Sequence, residues 1–222
     1  MTATEATLLT SQPVVRTRSS SALFALACIA SAIFIVIAAT ARVPTYRINP
    51  VFLIPAVWAI YGLRRRLHVH ALHYALLIVA ILLHDLGAYG WYQNSPLPIS
   101  WDILVHFYFA VPVTLILYRA IALNYAAVLK PWQAGVVALM FMMGMGALHE
   151  IMEYMSYLLL GEARGMLKPS TSYFLDTQRD LTNNLLGTLT ALAMLVIGHF
   201  LRGDKRGERG AGGDVASARR DG

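Results

Sequence analysis

Charged residues in this chain are separated by long gaps, and those gaps limit what it can fold into. None falls between Arg18 and Arg42, Arg66 and Asp85, Asp102 and Arg119, Lys130 and Glu150, or Asp180 and Arg202. A soluble domain carries about a quarter charged residues, whereas 14% of these 222 are charged and 57% are hydrophobic. A helix rising ~1.5 Å per residue covers a ~30 Å hydrocarbon layer in about 20 residues. The gaps therefore read as membrane spans.

Six apolar segments follow, at 21–40, 49–63, 68–90, 101–118, 132–160 and 176–201, the second short and interrupted by Pro55. The expected fold is all-α: a polytopic integral membrane helical bundle of six transmembrane helices, N-in/C-in. Residues 1–20, rich in Ser and Thr, read as a flexible cytoplasmic leader, 21–201 as the transmembrane domain, and 202–222 as a disordered basic cytoplasmic tail. Ala39-Thr40-Ala41 imitates a signal cleavage site. The apolar run before it is longer than the about 7–15 residues usual for a signal, which favours a retained helix.

The basic residues set the orientation. With the N-terminus inside, Arg16, Arg18, Arg64, Arg65, Arg66, Arg119, Lys130 and six tail residues lie on the inner side. The outer side holds Arg42, Arg47, Arg164 and Lys168, with Arg179 at the mouth of the last segment. That excess follows the positive-inside rule. It also accounts for the net charge of +6 without a nucleic-acid partner; the partner implied is the lipid bilayer. Cys28 is the single cysteine, so no internal disulfide forms. Nothing in the chain specifies an oligomeric state.

The chemistry sits where these segments should be greasiest. His84 and Asp85 end the third segment, Asp102 and His106 begin the fourth, His149, Glu150 and Glu153 lie late in the fifth, and Asp176, Gln178, Arg179, Asp180, Asn183 and Asn184 open the sixth. In a serpentine bundle all of these fall at one depth, in the outer leaflet. Asp102 and His106 are four residues apart and so share a helix face, as do His149 and Glu153. Asp176, Asp180 and Asn184 form a second ladder, continued by Gly187, where a small residue permits close packing. Ionisable groups at membrane depth face a bundle interior or wet cavity and pair with one another.

Plainer roles exist for several of them. Asp102, Asp176 and Asp180 could serve helix N-termini, where the dipole favours an anion. His106 and His149 could be buried histidines satisfied by a carboxylate. Tyr89, Trp91, Tyr92, Trp101 and Tyr108 read as an interfacial aromatic belt, and His68, His70 and His73 as groups facing solvent or lipid phosphate. Glu150 and Glu153, inside an apolar helix, are harder to explain this way. Imidazole and carboxylate oxygen suit zinc or a harder divalent ion. The expected metal ligands are Asp102, His106, His149 and Asp176, with Glu150, Glu153 and Asp180 as general acid–base groups and Gln178, Arg179, Asn184, His84 and Asp85 toward the substrate. Arg179 is the expected anion clamp. The sequence contains no HExxH, nucleophile motif, Gly-rich phosphate loop or Cys pair.

The order "GAYGWYQNSPLP…WDILVHF", "HEIMEYM", "FLDTQRDLTNNLLG" resembles the YjdF-like family of bacterial inner-membrane proteins, whose function is uncharacterised. The likeness covers about residues 80 to 195 and rests on Asp102, His106, Phe107, Glu150, Glu153, Asp176, Thr177, Gln178 and Asp180. It implies a multi-pass protein of the bacterial inner membrane. A weaker likeness links Asp102, His106, Asp180, Asn184 and Gly187 to the VanZ-like family, associated with glycopeptide resistance. Ile103 stands where that family has a basic residue, and the Gln usual after its next acid is absent. These departures argue against a direct role in resistance.

Three functions remain compatible with these residues. The first is a metal-dependent hydrolase, or another enzyme modifying lipid or envelope head groups from the outer leaflet. The second is a proton-coupled transporter or binding protein that uses the acids as a relay. The third is a scaffold whose acids pin the helices together.

Overall fold

The computed structural model describes residues 17–40, 55, 58–160 and 173–217. The leader up to residue 16, Ala41 of the signal-like site, most of the second apolar segment and the 161–172 connection lie outside the described residues. Among the described residues the chain is all-helical. Helix α1 spans Thr17–Thr40, α2 Ala71–Leu86, α3 Trp101–Asn124, α4 Pro131–Leu160 and α5 Tyr173–Ser217. Residues 58–63 are also helical. Three stretches are long and apolar enough to cross a membrane: Trp101–Asn124, Pro131–Leu159 and Leu175–His199. Ser21–Ala30 and Ala71–Leu86 are shorter apolar helices. Helix α5 runs past residue 201, where the apolar pattern ends.

Local chemistry starts the helices where they start. Pro131 opens α4, where its missing N–H costs nothing. The Gln133 side chain accepts the Lys130 N–H at 2.8 Å, the returning half of a capping box. At α3 the cap position belongs to Ser100 in an extended conformation. Asp102 is thus inside the first turn rather than the cap, and its carboxylate is free to reach a neighbouring helix. Helix α2 passes into a π-helical turn, Gly87–Trp91, in which Gly90 takes φ 142°, a conformation that glycine adopts without the strain of a Cβ.

Helix α3 is central. It packs most extensively on α5 and then on α4 and α2, while α1 lies against α2. The face that α4 turns inward is a ladder at four-residue intervals: Ala134, Ala138, Met142, Gly146 and Glu150. Its other side exposes Met140, Phe141, Leu148 and Ile151, apolar surface that suits lipid better than water. Small residues let α5 approach closely, as the ladder ending in Gly187 leads one to expect. A Cβ on Gly187 would collide with the Phe107 carbonyl oxygen and crowd Ala110, and one on Gly146 would sit 2.6 Å from Asn184 Nδ2. Beneath them Thr114 donates to Thr188 Oγ1 at 3.3 Å, and Thr188 donates to the Asn184 carbonyl at 2.8 Å. Toward the far end of this core Ile121 of α3 packs on Ala134 and Ala138 of α4.

The expected aromatic belt is in part an interior cluster. Tyr92 and Trp101 are buried with Ala88 and Val105. Trp101 donates Nε1–H to the Leu83 carbonyl at 2.8 Å and meets Trp91 edge-on at 4.5 Å. The hairpin between α2 and α3 folds back on itself, and these rings seal it.

A Gly187→Ala substitution should destabilise the purified protein by about 1–3 kcal/mol, the usual cost of overpacking. Gly144→Ala, where a Cβ meets nothing within 4 Å, should leave the thermal midpoint unchanged or slightly raised. Parallel thermal melts in detergent compare the two.

Candidate functional site

The start of α3, the end of α4 and the start of α5 meet at one end of the bundle. The helix faces read from residue spacing converge there. Asp102, His106, Glu150, Asp176, Asp180, Asn183 and Asn184 are all buried. Arg179 organises them. Its guanidinium donates to Asp102 Oδ2 at 2.7 Å, to Asp180 Oδ1 at 3.2 Å through Nε, and to Asp176 Oδ1. Two of those acceptors come from its own helix and one from α3. The expected anion clamp is thus already engaged by three aspartates of the bundle. Asn183 supports this turn by donating to the Arg179 carbonyl at 2.8 Å.

The other oxygens of Asp102 and Asp180 face His106. Its Nε2 lies 3.6 Å from Asp102 Oδ1 and 3.7 Å from Asp180 Oδ2. These gaps are too long for good hydrogen bonds. They resemble the edge of a metal polyhedron, because tetrahedral ligands at ~2.0–2.1 Å from an ion stand about 3.3–3.4 Å apart. One atom from each of Asp102, His106 and Asp180 fits within a 4.8 Å span, and all three residues are buried. Asn184 hydrogen-bonds His106 and steadies the ring.

The other expected ligands stand around this trio. The His149 ring centroid is 5.7 Å from that of His106, and its Nε2 is turned to Glu153 Oε1 at 3.3 Å. Asp176 is held by Arg179. Asp180, expected as an acid–base group, takes the place beside Asp102 and His106 that spacing alone suggested for those two. Glu150 bonds Thr177 from α5, while its Oε1 is buried with no hydrogen-bond partner. Gln178 is exposed.

His84 and Asp85, adjacent in sequence, part company in space. His84 is within electrostatic reach of His106, His149 and Asp102, and its Nδ1 is 2.6 Å from the Tyr92 hydroxyl. Tyr92, expected at an interface, is therefore a support of the site. Asp85 is fully buried with both carboxyl oxygens unpartnered. It follows Ile78 and Ile81 around α2, on the face that packs with Ala27 of α1. A turn of ~100° per residue separates the two neighbours, so one faces the cluster and the other does not.

With the geometry in view, comparison with known proteins is informative at the family level. A family model described as "Predicted membrane protein (DUF2238)" matches residues 20–200. The chain belongs to this family. It is the same family as the YjdF-like proteins whose motifs the sequence carries. No curated protein and no solved structure matches the chain. Membership thus covers every helix that lines the site and names a membrane protein.

Arg179→Gln would leave three aspartates facing one another without their cation. The loss should be on the order of 3 kcal/mol, at the lower end for breaking a buried ion pair because the guanidinium is a third exposed. Adding Asp180→Asn to that variant should restore part of the stability, since one of the stranded charges is removed. A thermal double-mutant cycle reads the coupling directly.

Proposed function

We propose that this protein is a divalent-metal-dependent membrane enzyme of the hydrolase or headgroup-modifying kind, acting on lipid or envelope head groups. The reading is carried by one observation: Asp102, His106 and Asp180 bring two carboxylate oxygens and an imidazole nitrogen together in a buried space. Charge supports it as well. Among the described residues, Asp102, Asp176 and Asp180 share the one guanidinium of Arg179, with Glu150 buried nearby, an imbalance that a divalent ion would relieve. A cation held there supplies a Lewis acid that polarises an oxygen of the substrate.

The chain's own residues have distinct parts in this reading. Arg179 orients Asp102 and Asp180 by holding one oxygen of each, which leaves the other for the ion. Asn184 sets the His106 ring. Glu150, with one oxygen on Thr177 and the other unpartnered, is the general base. The His149–Glu153 pair moves a proton beside it, and His84, steadied by Tyr92, faces the substrate. In the proposed topology six spans place both termini inside the bacterial inner membrane, and the site then opens to the outer leaflet. The excess of inner basic residues supports that orientation. A proton relay has less support. Beyond the cluster the described α3–α5 interface is filled by Gly187, the Thr114–Thr188 pair and Ala191, none of them ionisable.

Purified protein stripped with chelator and reloaded with Zn²⁺, Mn²⁺ or Mg²⁺ should retain close to one equivalent of one of these ions by elemental analysis. His106→Ala and Asp180→Asn should each weaken retention at least about tenfold. Glu150→Gln should keep the ion. Wild-type protein that holds no ion, or variants that hold as much as wild type, would rule the metal reading out.

A further inference from the structure

The opposite end of α2 and α3 has a different chemistry. No Asp or Glu occurs between Glu5 and Asp85 or between Asp102 and Glu150, so the 64–70 connection, the start of α2 and the end of α3 contribute only basic groups here. The 64–70 connection is lashed to the end of α3. Arg119 donates Nε–H to the His68 carbonyl at 3.0 Å, and Asn124 donates to the Arg66 carbonyl at 2.7 Å. The His68 ring meets Asn124 Oδ1 at 3.3 Å, while its backbone takes the left-handed φ of 50°. A residue with a Cβ held in that region is strained, and such strain persists only where surrounding contacts enforce it.

This bracing brings one guanidinium and two imidazoles together. Arg119 lies within electrostatic reach of both His70 and His73. The two imidazoles stack at 3.8 Å, with the His70 N–H donating to His73 Nδ1 at 3.4 Å. Arg119 is only partly exposed, and its one hydrogen bond is to a backbone carbonyl, with no carboxylate among the described residues paired to it. The end of α3 offers it no more than a helix dipole's partial charge. Close by, Tyr74 has a buried hydroxyl without a partner, within electrostatic reach of Arg64. A guanidinium with a planar fork of donors left open and imidazoles beside it is suited to phosphate oxygens.

The surroundings say which phosphate. Leu63, Leu72 and Val128 are exposed in the segments that flank these basic groups, so an anion here sits next to apolar surface at the end of the membrane-length helix α3. We propose that Arg119 and His70, with the buried His73 ring stacked behind His70, form a binding site for the phosphate of an anionic phospholipid, whose acyl chains lie along the exposed apolar face of α2 that carries Leu72 and Val79. The site is separate from the acidic cluster and uses none of its residues. It also gives the braced 64–70 connection a purpose beyond topology, since the brace fixes Arg119 and the two imidazoles relative to one another.

The test uses full-length protein in detergent, with phosphatidylglycerol, phosphatidylcholine and inorganic phosphate as separate probes in native mass spectrometry. Phosphatidylglycerol should be retained over phosphatidylcholine. Arg119→Gln and His70→Gln should each reduce that retention at least about tenfold, the value of a charge-assisted hydrogen bond. Arg65→Gln, at an exposed arginine, should change it less than about twofold. His70→Gln keeps the His68–Arg119 brace, so it remains informative if Arg119→Gln fails to fold. Binding of inorganic phosphate as tight as that of phosphatidylglycerol would overturn the lipid assignment in favour of a soluble phosphate. Equal retention of the two lipids with no phosphate binding, or equal losses in all three variants, would overturn the site.

Discussion

Arg179 is the contact on which the polar half of this bundle depends. A permanent cation at membrane depth is costly unless paired, and here it is shared among Asp102, Asp176 and Asp180. Because Asp102 belongs to α3 and the others to α5, the same guanidinium fixes two helices in register. It also consumes only one oxygen of Asp102 and one of Asp180. The remaining oxygens are forced toward His106, so the candidate cation site is a by-product of how the arginine is satisfied.

That arrangement needs backbones nearer than ordinary side chains allow. Gly187 lies on the Phe107 carbonyl, and Gly146 lies under Asn184. In lipid no hydrophobic force drives helices together, so close packing at small residues does that work. The glycines and the polar cluster are then two parts of one design. One brings α3, α4 and α5 within reach, and the other fills the resulting space with groups that can bind each other or an ion.

The two ends of the core are chemically opposite. One gathers carboxylates around Arg179, whereas the other gathers arginine and histidine with no carboxylate from the 64–70 connection, the start of α2 or the end of α3. Between them the interior is apolar, with Ala110, Val113, Ile116, Met142 and Ala191 around a threonine pair. An ion and a phosphate would therefore meet this molecule at separate ends, with a tightly packed apolar layer between.

Much of this was legible in the residues. For the last three segments the gaps between charges gave helices close to those observed, and i,i+4 spacing put Asp102 with His106 and His149 with Glu153. Gly187 was readable as a packing residue because a missing side chain on a polar ladder has few other uses. Periodicity reports a face, however, and says nothing of which face across the bundle it will meet. Only the tertiary structure decided that Asp180 joins Asp102 and His106, that Arg179 turns inward, and that His84 and Asp85 diverge. It also turned Tyr92 and Trp101 from an expected interface into a buried seal. Helices and their polar stripes follow from forces acting within a few residues. The composition of the site follows from distances between helices, which no short-range pattern encodes.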